Sequence, residues 1–161
     1  MEVFTVSFFG HRQSNYLSLT EKELEKTIRD FIRSKEYVAF LVGRNGAFDL
    51  LVASVVRKCK CELRDDNSSL VLVLPYATAE YENNAESFQV YYDEIEICAA
   101  SAQKHFKAAY SARNREMVDR SDVVCFYIEH EYGGAFQTMQ YAKKRKKECI
   151  NLFERIQEKM Y

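Results

Sequence analysis

Glycines, cationic side chains and amides gather at a few short stretches of this sequence. They read "GHR" at Gly10, His11 and Arg12, "GRNGAFD" from Gly43 through Arg44, Asn45 and Gly46 to Asp49, and "EHEYGG" from Glu129 to Gly134. A fourth stretch, "PY", is Pro75 and Tyr76. All five glycines fall in the first three. The chemistry this suits is anion binding. A helix start leaves backbone N–H groups unpaired and carries a partial positive charge. Glycine lets a phosphate approach that backbone closely. Two such starts are expected, at Gly46 and Gly134, and Arg12, Arg44 or Arg113 would add charge-assisted hydrogen bonds. Asn45, Asn114 or Asp49 would meet a sugar or a base. The competing reading is that the glycines only turn the chain. Neither a Gly-Lys-Ser/Thr phosphate loop nor a G-x-G-x-x-G fingerprint is present, which argues against ordinary nucleoside triphosphatases and dinucleotide dehydrogenases.

A second stretch, "ARNREMVDRSD" at 112–122, places Asn114, Met117, Val118 and Ser121 on one helical face with Arg113 close by. It is either a salt-bridged surface helix or a helix whose start presents Arg113 and Asn114 to a ligand. Other constellations are weaker. Cys59 and Cys61 lack zinc-knuckle spacing, so no metal site is expected. His11 and His130 both follow apolar runs and suit a general base, a phosphate contact or a loop hydrogen bond. The run "KKRKK" at 143–147 suits a helix end that complements the helix dipole. Tyr91, Tyr92, Phe106 and Tyr110 suit the core, or stacking on a base or a partner subunit.

Alternating apolar runs and helical patterns must position these residues. Strands are expected at 3–10, 37–43, 69–75, 92–98, 122–128 and 149–153, with 92–98 near a sheet edge. Helices are expected at about 20–35, 47–60, 78–90, 105–120 and 134–147, with a short one in 154–161. Thr20 and Glu23 fit a capping box. The fold class that follows is α/β: one domain over 1–161, an open and mostly parallel sheet covered on both faces. Ligands of such sheets bind beyond the carboxyl ends of the strands, where the four stretches would meet.

Bulk composition narrows the partners. With 47% hydrophobic and 29% charged residues, the sequence reads as an ordinary globular protein. Its net charge of −1 gives no global attraction to nucleic acid or to a membrane, and both are set aside as partners. No apolar run reaches a membrane span, and "MEVFTVSFFG" lacks signal-peptide features. Five cysteines, mostly in apolar runs, read as free thiols of a cytoplasmic protein.

In order along the chain, "FFGHR", "FLVGRNGAFD", "LVLPY", "YDEIEI", "ARNREMVDRSDVVCFYI" and "GGAFQTMQYAKKRKKECINLF" resemble the SLOG superfamily, which groups DprA-like proteins with LOG-type phosphoribohydrolases. Within it the sequence is most similar to small, stand-alone, YpsA-like bacterial members. The resemblance implies a Rossmann-like fold, a nucleotide-type ligand at the glycine-rich edge and self-association into a homo-oligomer. It also implies that Gly43, Gly46, Arg113, Asn114, Gly133, Gly134 and Thr138 line the pocket. LOG-type hydrolases carry P-G-G-x-G-T-x-x-E. Here Tyr132 replaces the proline, the third glycine is missing, and Gln140 and Tyr141 stand where carboxylates are expected. An amide cannot carry out general acid–base catalysis. Glu129, Glu131 and Asp49 are the nearby substitutes.

The expectation is a domain that binds or senses a nucleotide derivative bearing phosphate and ribose, ADP-ribose-like among the candidates, with no cofactor required. Its ligand residues would come from Gly10, His11, Arg12, Gly43, Arg44, Asn45, Gly46, Asp49, Pro75, Tyr76, Arg113, Asn114, Met117, Glu129, Gly133, Gly134 and Thr138. The alternatives are hydrolysis of a nucleotide N-glycosidic bond and, behind it, a nucleic-acid-binding module. Binder and enzyme both stay open.

Overall fold

The computed structural model describes residues 2–11, 17–101 and 104–160. Six strands form one sheet: β1 (Phe4–Gly10), β2 (Val38–Val42), β3 (Ser68–Leu74), β4 (Glu94–Ile97), β5 (Val123–Tyr127) and β6 (Glu148–Asn151). Their order is β4-β3-β2-β1-β5-β6, and every pairing is parallel. The helices are α1 (Leu17–Ser34), α2 (Ala47–Glu62), α3 (Ala79–Asn83), α4 (Ala85–Tyr91), α5 (Phe106–Asp119), α6 (Gly134–Lys144) and α7 (Leu152–Met160). This is an α/β, Rossmann-like fold.

The apolar runs are near-continuous because both faces of the sheet are covered. Successive strand residues point to opposite faces. Phe8, Leu70, Leu72, Cys125 and Tyr127 therefore join one core cluster with α1, α2 and α7. Phe9, Val71, Val73, Val124 and Phe126 join a second with α5 and α6. Ser7, the polar residue of β1 buried on the second face, is satisfied. Its hydroxyl lies 2.6 Å from that of Ser121 and donates to the Met117 carbonyl. Those bonds tie the end of α5 to the central strand.

Several boundaries differ from the sequence expectation. α1 is already helical at Leu17, so Thr20 and Glu23 lie inside it and form no capping box. Thr20 is buried, and Glu23 pairs with Lys159 of α7. The expected helix at 78–90 is two short helices, because Asn84 leaves helical geometry at φ −136°. Thr78 caps the first, accepting from the Tyr81 amide at 3.2 Å. The last strand ends at Asn151, whose side chain bonds the backbone of Ile128 and Phe153 and turns the chain into α7.

Candidate functional site

β1 is the topological switch point: β2 lies on one side and β5 on the other. The loops that leave these three strands diverge, and a crevice opens between them. The loop after β1 carries Gly10 and His11, the loop after β2 carries Gly43 and Asn45, and the loop after β5 carries His130 to Gly133. With Tyr110, Arg113 and Asn114 of α5, Asp49 of α2 and Gly134 of α6, they line a cavity of about 600 Å3. That volume lies in the range of small-ligand sites, roughly 300–1,000 Å3.

The α2 side of the cavity is packed. A Cβ on Gly10 would sit 2.4 Å from the Phe48 ring, and one on Gly43 would sit 2.9 Å from Arg113 Nη1. Arg113 is only 2% exposed. Its Nη1 donates to the Val73 carbonyl at 2.9 Å and its Nε to Asn114 Oδ1 at 3.0 Å. Burial lowers its pKa, and the Asp49 carboxylate partly opposes that shift. Asp49 sits in the first turn of α2, and its Oδ2 accepts from the Asn45 amide at 2.9 Å. Desolvation raises its pKa, while the Asn45 bond and the Arg113 charge hold it down. The first turn of α2 therefore carries a carboxylate of its own, which weakens that helix start as a seat for an anion.

The α6 side is open. Gly133 caps the helix with φ +93°, a left-handed conformation that favours glycine. Among the described residues, and apart from chain neighbours and the helix's own backbone, no heavy atom lies within 4 Å of where a Cβ on Gly133 or Gly134 would be. The amides of Gly134, Ala135 and Phe136 precede the first intrahelical bond, from the Gln137 amide to the Gly133 carbonyl at 3.0 Å. The first turn of α6 carries no acidic residue. Thr138 donates to the Gly134 carbonyl at 2.8 Å and accepts from Asn114 Nδ2 at 3.3 Å, which couples this turn to α5.

Above the glycines stands a stack of three rings. His11 and His130 lie 3.5 Å apart between centroids, and His130 and Tyr132 lie 3.7 Å apart. His11 Nε2 accepts from the amides of Glu129 at 3.1 Å and His130 at 3.4 Å, so its neutral form carries the proton on Nδ1. Burial and the neighbouring His130 lower the His11 pKa, with Glu129 opposing. Tyr132 tops the stack and is 68% exposed.

Nine of the residues expected from the sequence meet at this cavity: Gly10, His11, Gly43, Asn45, Asp49, Arg113, Asn114, Gly133 and Gly134. Others lie elsewhere. Arg44 pairs with Glu80, donates to the Tyr92 hydroxyl and lies over the Phe88 ring. Gly46 caps α2 in extended backbone geometry. Pro75 is buried and its carbonyl accepts from Ser101, while Tyr76 packs edge-on against Tyr110. Met117 is fully buried in the core between α5 and the sheet. Glu129 accepts from the Tyr127 hydroxyl at 3.1 Å. Thr138 lines a neighbouring cleft. Arg12 lies outside the described residues. Among the proposed substitute carboxylates, Asp49 faces the cavity and Glu131 is exposed. Phe8, Phe9, Tyr110, His130, Tyr132 and Ala135 complete the lining; the sequence suits His130 to a base or phosphate contact and Tyr110 to a stacking ring, and it gives the other four no ligand role. The position of His130 directly after a strand was the available signal, and nothing local marks Tyr132 as the top of a stack.

Among the described residues, no group of three or more His, Cys, Asp or Glu side chains is arranged to hold a metal. No described helix is long and apolar enough to cross a membrane. Burial pushes the Cys125 thiol up to about 12, which leaves it unreactive.

No family profile matches the sequence, and no curated protein matches it. Solved structures do. One is DNA processing protein A from Helicobacter pylori, described for its unique mode of binding single-stranded DNA. It superposes with a TM-score of 0.64 at 16% identity, over 97% of this chain and 72% of that one. Another is DNA processing protein A from Streptococcus pneumoniae, with a TM-score of 0.66 at 15% identity, over 91% of this chain and 49% of that one. The chain has the fold of DNA processing protein A. It spans about half the length of the Streptococcus chain. The DprA-type likeness corrects one expectation, that nucleic acid can be set aside as a partner. Two solved structures sharing this fold are DNA processing proteins, one of them described with single-stranded DNA. The physical error lay in arguing from net charge. A total of −1 averages the whole surface, whereas a ligand meets the local field of one crevice.

Proposed function

We propose that the switch-point cavity seats one nucleotide of a single-stranded nucleic acid. The observation that carries this reading is the bare start of α6. The amides of Gly134, Ala135 and Phe136 precede the first intrahelical bond, no acidic residue shares the turn, and among the described residues no side chain lies within 4 Å of where a Cβ on Gly133 or Gly134 would be, chain neighbours aside. A phosphate there gains hydrogen bonds and the favourable end of the helix dipole. Arg113 acts from below, as a buried cation that fixes Asn114 rather than as a direct clamp. Tyr132 extends the stack of His11 and His130 outward, where a base would lie on its face. Such stacking contributes about 1–3 kcal/mol per base. The shared fold with a protein that binds single-stranded DNA supports the same reading. The order of motifs and the common fold together support placing the chain in the SLOG group.

The test is fluorescence anisotropy of a labelled ten-residue oligothymidylate titrated with protein across a salt series. Binding should weaken steeply with salt, and Gly134→Asp should abolish it while the melting temperature stays within a few degrees. Undiminished binding by a folded Gly134→Asp protein would remove the cavity from the interface. Displacement of a bound nucleotide but not of the oligomer would show that the seat takes free nucleotides instead.

A further inference from the structure

The cavity does not end at Gly134. A cleft of about 190 Å3 continues between α5 and α6, and it shares Tyr110, Asn114 and Gly134 with the larger cavity. Its other walls include Lys107, Arg115 and Tyr141. The volume is below the roughly 300 Å3 at which small-ligand sites begin, so it has room for a phosphate and a sugar edge but not for a nucleoside.

Charge in the cleft is one-sided. No Asp or Glu is among its lining residues. Among the described residues, neither Lys107 nor Arg115 has an acidic partner, whereas two arginines at the far ends of α5 and α6 are paired. Arg120 meets Glu96 and Glu116, and Arg145 meets Asp119. Asp119 also accepts the Tyr141 hydroxyl at 2.8 Å, which turns that carboxylate to its own partners. The Arg115 guanidinium lies 5.3 Å from the centre of the Tyr141 ring, a cation–π contact that holds it in place. Two unpaired cations beside a small polar cleft, one of them held by an aromatic ring, suit a second phosphate linked to the first.

We propose that a single strand crosses Gly134 from the switch-point cavity into the α5–α6 cleft, where Lys107 and Arg115 hold the neighbouring phosphate of the same chain. This rests on reading the cavity as a nucleotide seat. It adds the direction in which the strand leaves and a minimum footprint of two phosphates. A base at the second position stays outside the cleft, so sequence preference there is weak.

The experiment uses the same labelled oligothymidylate with three variants of the whole chain. The double substitution Lys107→Gln and Arg115→Gln should weaken binding about tenfold at low salt. It should also lower the slope of log affinity against log salt by about 0.7 to 1.4, as expected when one or two phosphate contacts to a single strand are lost. A matched pair on the opposite face of the molecule, Lys22→Gln and Lys26→Gln, should change neither. Equal weakening by the two pairs, or no change with the cleft pair, overturns the path while leaving the cavity reading intact. Failure of the unaltered protein to bind, or full binding by Gly134→Asp, overturns the cavity reading and this path with it. All four side chains are exposed or on exposed helix faces, and melting temperatures establish that each variant is folded.

Discussion

The two sides of the cavity use glycine for opposite ends. On the α2 side, glycine admits protein. Gly10 lies under the Phe48 ring and Gly43 under the Arg113 guanidinium, each too close for a methyl group. The first turn of the helix there carries an acidic residue, Asp49. On the α6 side, glycine admits nothing that the protein supplies. Among the described residues nothing beyond the chain neighbours and the helix's own backbone comes within 4 Å of a Cβ on Gly133 or Gly134, and the first turn lacks an acid. Read as sequence, "GRNG" and "GG" both offered helix starts able to receive an anion, with the phosphate expected at Gly133 and Gly134. In the folded chain one is a packed wall and the other an opening. The difference arises from what tertiary structure brings over the glycine, and substituting the glycines distinguishes the two cases.

The largest effect is expected on the packed side. Gly10→Ala places a methyl 2.4 Å from two atoms of the Phe48 ring and 2.9 Å from its Cβ. Phe48 is 2% exposed and stacks on Tyr127 with ring centroids 6.0 Å apart, so it has little room to move. Overpacking of this kind costs about 1–3 kcal/mol. Urea denaturation should show a lowered midpoint at unchanged slope. A midpoint equal to that of the unaltered protein would mean that β1 and α2 separate easily, and the contrast between the two sides would fail.

How far the sequence made this legible depends on whether a feature is local. Strands β1, β2, β3 and β5 were readable because each is a near-continuous apolar run, the direct consequence of a sheet buried on both faces. The convergence of Gly10, Gly43 and Gly133 followed from topology alone. The start of α1 was misplaced because Thr20 and Glu23 imitate a cap while facing the core and Lys159. The role of Arg113 could not be read. It was expected to face a ligand; it does line the cavity, but it is buried and held by a hydrogen bond to the Val73 carbonyl, from a strand forty residues away. Tyr132 was seen only as a missing proline, because the stack it completes joins the loops after β1 and β5. Nucleic acid was set aside because composition carries total charge and not its distribution.

A smaller effect is expected where the two sides meet. Neutral His11 holds the loop that carries the open seat, by accepting the amides of Glu129 and His130. A protonated imidazole cannot accept at Nε2, and its folded-state pKa lies below the ordinary 6.5. The unfolded chain therefore binds the proton first as pH falls. The stability His11 contributes is complete above about 6.5, declines as pH drops from there to the lowered folded value, and is constant below it. Melting temperatures at pH 7.5 and 5.5 should differ for the unaltered protein, and His11→Asn should reduce that difference. If His11→Asn leaves the difference unchanged, His11 does not couple pH to the loop.

The smallest effect on stability, and the sharpest counterpart to Gly10→Ala, is expected from Gly134→Ala. The added methyl meets nothing within 4 Å. Gly134 opens α6 without a left-handed backbone, since the positive φ belongs to Gly133. Alanine there restricts the unfolded chain and fits a helix better, a gain of about 0.4–1 kcal/mol where the native geometry is compatible. The midpoint should therefore stay level or rise slightly. Oligonucleotide affinity should nonetheless fall, because the methyl takes up room at the helix start where the phosphate would sit. Stability and binding then move in opposite directions at one residue, as expected of a position left open for a ligand. If the substitution lowers stability as much as Gly10→Ala does, Gly134 serves packing, and the α6 side is a second wall rather than an opening.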